Sequence, residues 1–302
     1  MEPPPKPRAP RPIRLARGIA LVMLALAPIT YAGVALLSAH LLTKPSNHRS
    51  HTKPPAGSRP WSTVTADGLT LRGWLIPSRS RRQLVVLVHG MWSSWEHMAR
   101  LGGDLNRRGY DVLLFDLRGH GQSDPARLSM GRREKADIRA VLDWAVDEGY
   151  GPDRVGWVGH SMGASTLLMA ADDIPEIHAA VLDSPYADLP ELLKDQLSKH
   201  SHLPKVFNAG ILLAAHRAYG LRADEIRPIR SARRWGNRPI LLIHGDADST
   251  VPIRDAYRLR QALGERCDLV VRPGVEHVEA YKEDRRGYVS RLDRFFRGSL
   301  AP

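Results

Sequence analysis

From Trp61 onward the chain alternates short apolar runs with longer stretches of helical periodicity. "WSTVTADGLTLRGWLIP" reads as two strands around Asp67–Gly68, a hairpin signal. "QLVVLVHG" is a continuous apolar run, as a strand buried on both faces requires, and "YDVLLFDLRGHG" is a second that enters a glycine-rich loop. "RVGWVG", "IHAAVLD", "RPILLIHG" and "CDLVVRPG" predict four further strands. Between them, "HMARLGGDLNRRG", "MGASTLLMAA", "RDAYRLRQALG" and "EAYKEDRRGYVSRLDRFFRG" predict helices. So does "EKADIRAVLDWAVDEG", which sets Ile138, Val141, Leu142 and Ala145 at helical spacing. Such alternation predicts an α/β fold, a mostly parallel sheet with helices on both faces. The stretch between Asp183 and Arg238 departs from it. "DLPELLKDQLSKH" places Leu189, Leu192, Leu193 and Leu197 on one helical face, and "LPKVFNAGILLAAHRAYG" is apolar over much of its length.

The N-terminal pattern is different. Residues 18–42 contain no Lys, Arg, Asp or Glu. As a helix they span roughly 37 Å, enough to cross a bilayer core of about 30 Å with some tilt. They predict one transmembrane anchor, which tolerates Pro28. A cleavable signal peptide is the rival reading, with Gly33–Val34–Ala35 as its small-residue site, but the apolar run is long for one. Residues 1–17 form a basic tail. Residues 43–60, with four prolines and few apolar positions, read as an extended, unpacked linker. The domain that follows spans residues 61–298, and residues 61–302 are expected to be soluble and active without the anchor.

Charge sharpens this division. The chain of 302 residues carries a formal net charge of +12, but nine basic residues and a single acid, Glu2, fall in residues 1–60. The folded region therefore holds only a modest basic excess, which argues against a nucleic-acid partner. Five basic groups precede the apolar segment closely and three follow it, a bias that places the N-terminus in the cytoplasm and the large domain outside. The single cysteine, Cys267, excludes an intramolecular disulfide and reads as a small core residue at the start of a strand.

In open parallel sheets, ligands bind beyond the carboxyl ends of the strands. Those ends carry "HGMWSS", "HSMG", "HGDADSTVP" and "PGVEHVEAY". "GHSMG" sets Ser161 between Gly159 and Gly163, in a Gly-x-Ser-x-Gly turn from strand to helix. Ser161, an acid and His277 then follow in the chain order Ser, Asp, His. By position alone, Asp183, Asp246 and Asp248 all qualify as the acid. His89, His120, His160 and His244 fall in loop motifs and read as hydrogen-bonded structural residues. "RGHGQS" lacks the Lys-Ser/Thr of a phosphate-binding loop, no metal-ligand spacing occurs, and no cofactor is implied.

Taken together and in order, "LVHG", "FDLRGHGQS", "GHSMG", "HGDADSTVP" and "PGVEHVEAY" resemble the α/β-hydrolase superfamily over residues 61–298. The closest similarity is to membrane-anchored bacterial serine hydrolases with a small lid. The resemblance implies an α/β-hydrolase fold with a helical lid at about residues 184–238. It implies a catalytic triad of Ser161, Asp248 and His277, the acid being the one before "xxVP". It also implies an oxyanion hole at the backbone N–H groups of Met91 and Met162. The family usually has Gly before the catalytic histidine; Glu276 stands there in this chain. The implied activity is hydrolysis of small carboxylic esters or thioesters through an acyl-enzyme. A serine peptidase on the same fold, or a catalytically silent anchored binding protein, are the alternatives. The leucine-rich lid, with Met91, Trp92 and Trp95 nearby, reads either as simple packing on the core or as the cover of an apolar acyl pocket. Its shortness favours short to medium acyl chains.

Overall fold

The computed structural model describes residues 11–50, 52–78, 80 and 82–302. Of the basic tail at residues 1–17, the first ten residues lie outside this range and the rest begin the first helix. That helix, α1 (Arg11–Thr43), runs through Pro28 and is followed by a short strand, β1 (Ser46–Asn47). The hairpin β2 (Arg59–Val64) and β3 (Thr70–Ile76) follows. Next come β4 (Leu84–Val88), α2 (Trp95–Arg107), β5 (Asp111–Phe115), β6 (His120–Gly121) and α3 (Lys135–Asp147). The chain continues through β7 (Val155–His160), α4 (Met162–Ala170) and β8 (Ala179–Asp183). Three helices interrupt the alternation: α5 (Leu189–Ser201), α6 (Val206–Tyr219) and α7 (Pro228–Ala232). The last elements are β9 (Ile240–Gly245), α8 (Ile253–Leu263), β10 (Cys267–Arg272), α9 (Ala280–Glu283) and α10 (Arg285–Ser299).

The eight strands predicted from the sequence form one sheet in the order β10-β9-β8-β7-β4-β5-β3-β2. The β2–β3 and β3–β5 pairs are antiparallel and all others parallel. The continuous apolar runs are explained by two-sided burial. In β4, Leu84, Val86 and Val88 pack into the layer beneath α3, α4 and α8, while Val85 and Leu87 pack under α2 and α10. Cys267 is buried at the start of β10. From these adjacent strands the chain continues in opposite directions, from β4 to β5 on one side and from β7 to β8 on the other. This puts the switch point of the sheet, where α/β proteins bind ligands, between β4 and β7.

The N-terminal region differs from the expected tether and free linker. Ala35, Ala39 and Thr43 of α1 are buried, and α1 lies along α6. Ser46–Asn47 pair in parallel with His120–Gly121, and Asn47 Nδ2 donates to the carbonyls of His120, Gly121 and Ser123 at 2.7–3.3 Å. The side-chain amide makes these bonds possible where composition alone suggested an unpacked chain. β2 also begins at Arg59, before the expected boundary. A chain cut to residues 61–302 loses these contacts and uncovers Phe207, Ile211 and Ala215 of α6, which cluster with the core. It is expected to aggregate without detergent. Size-exclusion chromatography checks this, and a monodisperse detergent-free monomer would contradict it.

Candidate active site

The site begins with a strained turn. Ser161 connects β7 to α4 with φ +52° and ψ −115°, a conformation that non-glycine residues avoid. The turn is tight because both flanking residues lack side chains. A Cβ on Gly159 would stand 2.6 Å from Ala164 backbone, and one on Gly163 would stand 2.4 Å from the Val88 carbonyl oxygen. The Ser161 N–H donates to the Asp183 carbonyl at 2.8 Å, which fixes the turn to β8. The serine side chain is thereby held above the sheet at its switch point.

Two loops complete the arrangement. His277, in the loop after β10, places Nε2 at 2.9 Å from Ser161 Oγ and Nδ1 at 2.7 Å from Asp248 Oδ2. Asp248, in the loop after β9, is buried, and its other oxygen accepts from the N–H groups of Thr250 at 2.9 Å and Val251 at 2.7 Å. Burial alone would raise the Asp248 carboxyl. Hydrogen bonds from His244, His277 and the Val251 N–H outweigh it and hold the group well below the ordinary carboxylate range. The geometry also separates the three acids left open by position. Asp183 accepts instead from Tyr288 Oη at 2.9 Å and Ser184 Oγ at 3.0 Å, and Asp246 accepts from the Gly274 N–H at 2.6 Å. Such a relay can move a proton from the serine hydroxyl to an imidazole held in one tautomer by the carboxylate.

Met162 is the first residue of α4, so its N–H is among those that helix geometry leaves unpaired. Met91 follows the β4 end and lines the same cavity as Ser161. His89 sets that loop: its Nδ1 donates to the Gly90 carbonyl at 2.7 Å while Nε2 accepts from the Leu117 N–H at 3.0 Å. His120 Nε2 accepts in turn from the Trp92 N–H at 3.3 Å. The sequence identified Glu276 only as a departure from pattern. Its Oε2 accepts from the N–H and hydroxyl of Ser249, each at 3.0 Å, and from the His277 N–H at 3.3 Å. It thus ties the loop of Asp248 to that of His277, a link between residues 27 apart that no local pattern shows. Arg118 of "RGHGQS" is buried and committed to Asp137 at 2.7 Å and Asp67 at 2.6 Å.

Over the serine lies a cavity of about 610 Å³, within the usual range of small-molecule sites. All four leucines expected on one face of α5 (Leu189, Leu192, Leu193 and Leu197) line it, with Trp92 and Val278. Trp95 does not. Its N–H donates to Asp116 at 2.8 Å and its ring is buried against Trp74 in the core. Leu42, from the end of α1, contributes to the wall and was not expected there.

A family model described as alpha/beta hydrolase fold matches residues 83–208. Rv2307c, an uncharacterized protein of Mycobacterium tuberculosis, is 32% identical over 244 residues, which span 80% of this chain and 79% of its own. The chain belongs to the α/β-hydrolase family. A second relative, the uncharacterized YfhR of Escherichia coli O157:H7, is 26% identical over 262 residues, covering 82% of this chain and 84% of its own. Among solved structures, the Pyrococcus furiosus esterase Pf2001 superposes with a TM-score of 0.69 at 23% identity, over 85% of this chain and 97% of its own. That likeness is one of fold.

The buried histidines of this hydrolase fold make its stability pH-dependent. Burial holds the imidazoles of His89, His120 and His160 below their ordinary value of 6.5. Unfolding restores that value, so just below pH 6.5 the unfolded chain binds more protons than the folded one. Their contribution to stability is complete above 6.5 and declines as pH falls below it. Burial also lowers His244, but its hydrogen bond to Asp248 raises it overall, so its contribution runs the other way. Burial also pushes the Asp137 carboxyl up to about 7, so its contribution likewise grows as pH falls. The Tm advantage of the parent over His160→Asn is therefore expected to shrink from pH 7 to pH 5, and a constant gap in thermal melts would contradict this.

Proposed function

We propose that this protein is a membrane-anchored serine hydrolase that cleaves carboxylic esters or thioesters, with Ser161 as nucleophile, His277 as general base and acid, and Asp248 as its orienting carboxylate. The observation that carries the reading is the continuous relay from Ser161 Oγ through His277 to Asp248 beneath an apolar cavity. As Ser161 Oγ attacks the acyl carbon, its proton passes to His277 Nε2 and the carbonyl electron pair moves onto oxygen. The N–H groups of Met91 and Met162 receive that oxyanion, and the N-terminus of α4 adds its favourable dipole. Collapse breaks the acyl–oxygen or acyl–sulfur bond. The leaving alcohol or thiol takes the proton from His277, and water repeats the sequence to free the acid. Asp248, ionised and saturated with donors, stabilises the imidazolium in both halves. The apolar lining favours an acyl chain over a charged peptide.

α1 is read as a retained anchor. Its span Leu15–Thr43 is long and apolar enough to cross a membrane, and burial of Ala35, Ala39 and Thr43 against the rest of the protein supports retention over cleavage. The charge bias supports a hydrolase domain outside the cytoplasm, and protease protection of sealed cells checks that orientation. Labelling by a fluorophosphonate probe tests the reading. The full chain is expected to label, and Ser161→Ala to remain unlabelled. Absence of labelling in folded protein would leave a silent binding protein as the better account.

A further inference from the structure

The C-terminal half of α1 has a partner over most of its length. The Tyr31 ring stacks on Phe207 with centroids 4.9 Å apart, and its hydroxyl donates to the Val206 carbonyl at 2.9 Å. Gly210 lets the two helices approach there: a Cβ on it would stand 2.6 Å from Tyr31 Oη. Nine residues later, His40 meets the edge of Tyr219 with centroids 5.7 Å apart. α1 and α6 therefore run parallel and side by side, from Tyr31 with the start of α6 to His40 with its end.

Depth follows from this register, given α1 as an anchor. Arg17 is the last charged residue before the apolar stretch. About 30 Å of hydrocarbon takes about 20 residues of helix, which reaches Leu37. Tyr31 then lies six residues short of that boundary, roughly 9 Å inside it. The start of α6 lies beside Tyr31 and so at the same depth, within the range reached by interfacial helices.

The exposed side chains of α6 fit this placement. Val206, 68% exposed, and Leu213, 58% exposed, lie with exposed Ala209 between its first residue and just past its middle. His216 and Arg217 are exposed in its last turn, beside His40. The exposed surface of α6 thus changes from apolar to basic where α1 itself passes from Leu36 and Leu37 to His40 and Lys44. Lys199 and Lys205 are exposed near the α5–α6 turn, and their long stems shorten the distance from ammonium group to headgroup. α5, which precedes this turn, lines the cavity, and Leu42 of α1 lines it too.

We propose that α6 lies with α1 in the leaflet on the hydrolase side, and that the cavity beside them takes an amphiphilic long-chain acyl ester directly from that leaflet. The placement rests on α1 being an anchor, and the substrate class on the esterase reading. The full chain is tested in phosphatidylcholine–phosphatidylglycerol vesicles containing nitroxide-labelled lipid. A polarity-sensitive fluorophore is placed on Leu213→Cys, on Leu24→Cys as the anchor reference and on Tyr257→Cys as the aqueous reference. Cys267 is buried and does not compete for label. Lipid quenching is expected at Leu213→Cys and Leu24→Cys but not at Tyr257→Cys. Quenching at Leu24→Cys alone overturns the placement and leaves the anchor standing; quenching at neither overturns both. An interchain disulfide at Leu213→Cys that excludes label would show a second copy on this face and also overturn it. For the substrate, Leu213→Glu is expected to lower hydrolysis of a long-chain acylglycerol in the vesicles by about tenfold or more, with p-nitrophenyl butyrate unaffected. Equal loss on both esters, or loss on neither, overturns the substrate class. Failure of the unaltered chain on both esters overturns it together with the esterase reading, and the quenching result still decides the placement.

Discussion

Ser161→Ala is expected to lower ester turnover by about 10⁶-fold, to the level left by binding and oxyanion stabilisation alone. The serine hydroxyl becomes a nucleophile only as the imidazole removes its proton, and at 2.9 Å His277 Nε2 is within direct reach. His277→Ala should therefore be about as damaging. The double variant should be hardly worse than either single one, because once one member is lost the other has nothing to act on. Asp248→Asn keeps the shape but presents an amide where His277 Nδ1–H needs an acceptor, and turnover should fall by about 10⁴-fold. Asp183→Asn leaves the relay untouched and should retain most activity, even though Asp183 also ends a strand beside the serine. The check is kcat and kcat/KM for each variant on a p-nitrophenyl ester, with circular dichroism for folding. A Ser161→Ala variant that still turns over ester would refute the nucleophile, and sensitivity at Asp183 with tolerance at Asp248 would move the acid.

The legible parts of the molecule are those where one local rule dominates. The five central strands β4, β5, β7, β8 and β9 show in the sequence because two-sided burial writes an apolar run, as in "LVVLV" of β4, while β2 and β3 show as a hairpin around Asp67–Gly68. The geometry around Ser161 was foreshadowed by its glycines, since backbone can approach a turn so closely only where no Cβ stands. What stayed hidden depends on tertiary pairing. The Asn47 amide bonds to carbonyls more than 70 residues away, and Glu276 reaches Ser249 across two loops. Trp95 has the composition of a pocket residue yet faces the core, because an aromatic ring satisfies either setting. α1 was readable as an apolar helix, but nothing in its pattern shows that Tyr31 will stack on Phe207 or that Leu42 will reach the cavity. Those contacts also change the expected acyl preference. A lid sealed by its own short helices favours short chains, whereas a cavity walled partly by α1 leaves room, on the proposed membrane placement, for a chain that extends toward lipid.

Gly163→Ala is expected to destabilise the fold by at least about 3 kcal/mol and to remove activity from whatever protein remains folded. Its added Cβ would stand 2.4 Å from the Val88 carbonyl oxygen and 2.5 Å from that of His89. Both obstacles are backbone at the end of a central strand, so neither can swing aside as a side chain would. Relief requires α4 to lift from β4 or the β4 end to move, and Gly90 and Met91 move with it. Either displacement shifts the N–H groups of Met91 and Met162 away from the serine, so stability and catalysis should fall together. Gly298→Ala provides the contrast, since it sits in α10 with nothing within 4 Å of the added carbon. There the helix preference of alanine should raise stability by up to about 1 kcal/mol with turnover unchanged. Chemical denaturation and ester turnover of the two variants check the pair. A Gly163→Ala protein as stable and as active as the parent would show that the turn has slack, and that close backbone packing is not what holds Ser161 in its strained conformation.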